Sequence, residues 1–417
     1  MADRNDPRND QGKATRMADD PTTTPLFEIS WLRLFPWLRL FRAPGAAADP
    51  KKLFLAAIGL LLMSGGWQAL DLAFPASSGI TPEVFEAREP IGPDTLLSIP
   101  WWMTEPARLI TAPFFAAMDE PSNLGRRAFV HAVLAALWSV VVWGLIGGAI
   151  SRVAVVGLIQ GERVGVRNAL RFAVRKAVPL VGAPLIPVLG IITITTLMAG
   201  FGLLYRFPGG SVVAGALAFL PLIGGLLLTL IVIGLAIGWP LMPASVACQA
   251  EDGFDALSRS YAYLRQRPWN LLGYGAVAFL VGAAGLIFVD VFARLVVHLS
   301  AWALSFAAPP KLVSALYHGA EPDVSPAVLQ THAFWVGFVA ILVRSWIYSF
   351  FWTSASLIYL LLRKDVDGTP LTKIAIDEKV STTSEAEIPV SPMSAGVVPS
   401  PHTGMAANEV KEIGRDE

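Results

Sequence analysis

The chain has 417 residues, 54% of them hydrophobic and 15% charged, with a mean hydropathy of +0.55. Soluble domains carry about 25% charged residues, so the deficit excludes an ordinary water-soluble globule and points to lipid as the solvent. A formal net charge of zero excludes the basic surface of a nucleic-acid binder, and the distribution of charge becomes the informative quantity.

In chain order, residues 1–26 are polar and charged, without the pattern of a cleavable leader, and read as a disordered N-terminal segment. Residues 27–52 form an interfacial amphipathic segment. It contains WLRLFPWLRLF (31–41), in which WLRLF occurs twice around Pro36 and places Trp, Phe and Arg in the headgroup region. A six-span membrane domain over 53–362 follows. Apolar runs long enough to cross a bilayer core of about 30 Å occur at roughly 53–74, 128–150, 179–203, 213–239, 271–291 and 343–362. Basic residues number sixteen in the segments on the side of the termini and six on the other, so the positive-inside rule puts both termini in the cytoplasm. The expected location is the cell inner membrane.

The first long connection, 75–125, has eight prolines and seven acids. Its aromatic stretch IPWWMTEPARLITAPFFAAM (99–118) is expected to lie against the outer membrane surface through Trp101, Trp102, Phe114 and Phe115. The first cytoplasmic connection, 151–178, carries Arg163, Arg167, Arg171 and Arg175 at every fourth position. On a helix with Leu170, Val174 and Ala177 on its apolar side, they form one spiralling basic ridge that Pro179 ends. Such a ridge beside an anionic leaflet contributes about 1 kcal/mol per residue to surface attraction. It serves to orient the protein, to hold anionic lipid or to bind a partner.

The third span opens VPLVGAPLIPVLG (178–190), whose prolines predict a kink near the cytoplasmic boundary. Gly144/Gly148 and Gly234/Gly238 are GxxxG pairs that permit close helix approach. The second cytoplasmic connection, 240–270, contains EDGFDALSRSYAYLRQRPW. Asp252 caps a helix with an apolar stripe of Phe254, Leu257, Tyr261 and Leu264, Asp255 and Arg259 pair four residues apart, and Trp269 marks the headgroup level. With Arg265 and Arg267 this reads as a second membrane-surface helix. The two connections and the N-terminal segment together make a cytoplasmic collar. Cys248, the one cysteine, reads as a small buried side chain. The tail, 363–417, is rich in Pro, Ser, Thr and Glu and reads as disordered.

DGFDALSRSYAYLRQRPW and GVRNALRFAVRKAVPLVGAPLIP resemble the cytoplasmic motifs of a family of uncharacterised bacterial multi-pass membrane proteins, over roughly residues 128–362. More distantly, the pattern is similar to the membrane domain attached to some glycerophosphodiester phosphodiesterases. The resemblance implies an all-α polytopic bundle and no assigned reaction.

Ionisable groups near the spans are functional candidates by default. Asp290, Arg294 and His298 are spaced by four on one helical face, and Arg344 lies in the last span. Counting about 1.5 Å per residue from Trp269 and from Arg363 puts Asp290 and Arg344 at similar heights, at the outer boundary, where Asp290 is expected to pair with Arg294, Arg344 or both. Asp71 reaches a similar level. His131, His318, His332 and His402 lack metal-ligand spacing and read as incidental. The apolar stretches 271–306 and 334–362 exceed a simple crossing, so they tilt or continue as an outer hairpin around 307–331. Phosphate-binding, zinc-protease and serine-hydrolase motifs are missing, and no cofactor or metal site is expected. The leading expectation is a non-enzymatic membrane protein acting on lipids, on an envelope partner or on a second copy. The alternative is a small transporter or permease using Asp290, His298 and Arg344.

Overall fold

The computed structural model describes residues 35–75, 81–85, 97–118, 125–249, 252–318 and 324–370. Of the segments expected to be disordered, 1–26 and, within 363–417, the residues from 371 on lie outside the described residues. Among those described the fold is all-α, as the hydropathy requires. A 3-10 helix, Pro36–Arg42, leads into α1 (Ala43–Ala47) and α2 (Pro50–Ala73). The long connection contributes α3 (Ile99–Met103) and α4 (Glu105–Ala117). Then follow α5 (Arg126–Ile159), α6 (Val166–Arg175), α7 (Ala177–Gly202), α8 (Gly210–Ala216), α9 (Phe219–Gly238) and α10 (Leu241–Gln249). The chain continues with α11 (Gly253–Gln266), α12 (Pro268–Ser305), α13 (Pro310–His318) and α14 (Pro326–Asp367). Six of these helices, α2, α5, α7, α9, α12 and α14, are long and apolar enough to cross a membrane.

Each boundary has a local cause. Asp49 accepts a hydrogen bond from the Lys51 amide at 3.0 Å and opens α2. Pro50, Pro268 and Pro326 stand in first turns, where the missing N–H is not needed. Gly368, at φ 62°, closes α14 in the left-handed conformation. Pro184 and Pro187 remain inside a continuous α7, so the expected kink does not break that helix.

The core is centred on the second half of α14, where residues from Val343 to Arg363 are buried almost throughout. Trp143 of α5 stacks on Tyr348 at 4.7 Å, and its indole donates to Met63 Sδ at 2.7 Å. Trp239 meets Trp352 edge to face at 5.3 Å. A Cβ at Gly147 would stand 2.6 Å from the Trp352 ring, so only glycine lets α5 and α14 approach this closely. The GxxxG pairs let neighbours approach closely: Gly144 meets the Leu180 carbonyl and the Val181 side chain of α7, Gly148 the Leu180 side chain, and Gly234 and Gly238 receive Tyr261 of α11.

Three sequence expectations change here. The last two spanning helices run 268–305 and 326–367, well past the 271–291 and 343–362 read from hydropathy. The extension includes α13, so the expected outer hairpin around 307–331 is built of helix. The tail read as disordered from 363 begins as helix, because Arg363 is 1% exposed and packs into the core. The connection 75–125 is not wholly a surface element. Trp102 and Met103 are buried, and Met103 reaches Gly282 of α12 and Phe350 of α14. Trp101 and Phe115 stay exposed.

Candidate functional site

Two groups of polar side chains stand out, one at the collar end of the bundle and one beside α4. At the collar end, α10 is buried nearly all round. Arg152 of α5 donates to the Ala247 carbonyl at 2.7 Å, where the negative end of the α10 dipole favours a cation. The same guanidinium lies 4.9 Å from the Phe172 ring of α6. The buried face of α6 is Ala169, Phe172 and Ala173, rather than the expected Leu170, Val174 and Ala177. Val174 is instead 68% exposed, and Val178 just beyond it is 84% exposed. Arg167, Arg171 and Arg175 are exposed along α6. Arg163 is exposed too, but lies in the irregular stretch 161–165 that starts at Gly161, φ 69°. The four arginines therefore share a region, and three of them share a helix.

The α11 helix is docked rather than laid on a surface. Ala256, Ser260 and Tyr263 are buried, whereas Phe254 of the expected apolar stripe is exposed. Tyr261 fills the notch at Gly234 and Gly238 and donates to the Ile231 carbonyl at 3.1 Å. Burial pushes its hydroxyl up to about 12. Tyr263 donates to Asp367, and burial, the neighbouring Tyr359 and this hydrogen bond raise its pKa as well. Arg259 pairs with Asp367 at 3.8 Å instead of Asp255, which is exposed. The C-terminal turn of α14, misread as tail, supplies that better-placed acid. Arg265 and Arg267 are exposed. Deeper in, Ser245 donates to the Tyr359 hydroxyl and Tyr359 to Gln249, both at 3.1 Å. Asp365 accepts from Tyr274 at 2.6 Å and from Asn270 at 3.1 Å.

The second group divides the charges differently from the sequence reading. Asp290 does pair with Arg294, at 2.6 Å. Arg344 pairs instead with Glu105 at 2.9 Å and also donates to the Val84 carbonyl. The connection 75–125 brings both acceptors into the bundle, which its treatment as a surface loop concealed. His298, two turns beyond Asp290, is exposed. His131, read as incidental, is fully buried, 3.2 Å from Asp71 and stacked on Phe74 at 5.6 Å. Asp71 also accepts from Thr81 at 3.1 Å. Glu105 was the residue the sequence reading missed. Its signal was an acid at the head of an otherwise apolar helical stretch, 105–117.

No family model matches the chain, and neither the curated proteins nor the solved structures yield a match. The likeness suggested by the α6 and α11 motifs is thus carried by those motifs alone, and the bundle itself shows an all-α, multi-pass membrane protein with six candidate spans.

Proposed function

We propose that the protein is a non-enzymatic component of a bacterial inner membrane whose cytoplasmic collar holds anionic lipid headgroups, and through them organises membrane or partner proteins. The observation that carries this is the surface of α6 and its flanks. Arg163, Arg167, Arg171 and Arg175 are all exposed, and Val174 and Val178 are exposed beside them. An apolar strip next to a basic one suits a helix seated at a leaflet surface, valines toward acyl chains and guanidinium groups toward phosphates. Arg265, Arg267 and the half-buried Arg259 extend the basic rim.

The test is lipid enrichment around the purified protein after reconstitution in mixed anionic and zwitterionic lipid. The wild type should retain anionic lipid, and the variant with all four α6-region arginines changed to Gln should lose most of that preference. Equal retention would count against the proposal. A second reading, a small transporter or permease, has one observation in its favour, the Glu105–Arg344 pair carried into the bundle. A pH-dependent flux in proteoliposomes that Asp290→Asn abolishes would move the reading there.

A further inference from the structure

The pairings of the helices fix their relative heights. Along α5, Trp143 meets Met63, Trp67 donates to the Ala135 carbonyl and His131 meets Asp71, so α2 runs antiparallel to α5. Gly144 meets the Leu180 carbonyl and the Val181 side chain, while Gly148, one turn on, meets the Leu180 side chain, so α7 runs antiparallel too. Trp143 against Tyr348, and Gly147 against Trp352, make α14 parallel to α5. Gly282 faces Phe350, Gly285 faces Trp346 and Asn270 meets Asp365, so α12 and α14 are antiparallel along their length. Carried onto α14, the Ala73 end of α2 falls near Trp335 and the Ala177 end of α7 near Ser354. The stretch shared by all these helices is about 29 Å long at about 1.5 Å per residue, the thickness of a hydrocarbon core. Arg344 lies at its middle.

We infer that the bilayer hydrocarbon wraps the bundle between the levels of Trp335 and Ser354, so that the Glu105–Arg344 pair stands at the midplane, where α3 runs on into α4 through Thr104. Side chains at these levels agree: Phe288, Phe292, Phe338 and Leu342 are exposed apolar groups on α12 and α14. A boundary at Arg344 itself would leave Phe334, Trp335 and Phe338 in water. The most apolar stretch of α14 is only 6% buried by protein, whereas Val343–Arg363 is buried almost throughout, so lipid is the cover the first half of the helix lacks. Trp102, Met103 and Glu105 are buried on this segment, so protein covers the polar pair at that depth. This inference concerns depth in the membrane and does not depend on what the collar binds.

The test uses single cysteines at the exposed positions Leu272, Leu280, Phe288, Leu295 and Leu304 in a Cys248→Ala background. Each carries a fluorophore and is reconstituted with lipids bearing nitroxide on the headgroup or at shallow or deep acyl carbons. Quenching by the deep nitroxide should peak at Phe288, with Leu272 and Leu304 quenched best by the headgroup label. A peak at Leu280 would shift the belt toward the collar and put Arg344 at its edge, overturning the inference. A peak at any other position, or a Phe288 probe that no lipid label quenches because another protein copy covers it, overturns it equally.

Discussion

Among single residues, Glu105 and Arg344 make the sharpest case. Both side chains are largely removed from solvent, and the acid lies directly against the cation inside the bundle. Removing one partner of such a pair costs about 3–5 kcal/mol, because the remaining charge stays buried. Glu105→Gln should therefore lower the unfolding free energy of the purified protein by about that much, and adding Arg344→Gln should recover a substantial part. A Glu105→Gln variant as stable as the wild type would show that the pair is not what holds α4 in place. The sequence identified Arg344 as an intramembrane charge and paired Asp290 with Arg294 correctly, since a spacing of four is legible on one helix. It could not identify Glu105 or His131, because their partners come from elements more than fifty residues away.

For whole elements, helical spacing and the flanking prolines located α6 and α11, but not which face each one buries, and Asp252 stands at the start of α11 with no side-chain cap bond. Hydropathy assigned Val174 and Phe254 to buried stripes. In the fold the inward faces are Ala169, Phe172 and Ala173 in α6, and Ala256, Ser260 and Tyr263 in α11. Each helix docks through small side chains beside one aromatic ring, Phe172 or Tyr263, while Val174 and Phe254 turn outward. The docking of α11 has a pH signature. The Tyr261 hydroxyl is raised by burial from about 10 to about 12. A raised folded-state value means the contribution is fully present below pH 10 and is lost as pH climbs toward 12. Resistance to denaturant should fall across that window, and Tyr261→Phe should remove part of the slope. A slope unchanged by Tyr261→Phe would place the effect elsewhere.

For the molecule as a whole, six apolar helices were legible, because a run of about 20 apolar residues has few other solutions. The apolar stretch 271–306 also made the length of α12 legible, but the start of α14 at Pro326 and its end at Asp367 were not. Their second functions, lining a protein core at one end and facing lipid at the other, use the same apolar residues, and only helix pairing separates the two. Once α7 is placed, α6 falls just beyond the collar end of the inferred hydrocarbon belt, where arginines meet headgroups. Sidedness then decides the account: by the positive-inside rule the basic rim predicts a collar facing the cytoplasm, and an even number of spans puts both termini on one side. The direct measurement is modification by a membrane-impermeant maleimide in intact cells, using Cys248→Ala with Ser258→Cys on α11 or Ser211→Cys on α8, both exposed positions. Ser211→Cys should react in intact cells, and Ser258→Cys only after permeabilisation. The reverse pattern, or both positions reacting from the same side, would contradict a cytoplasmic collar on a six-span bundle.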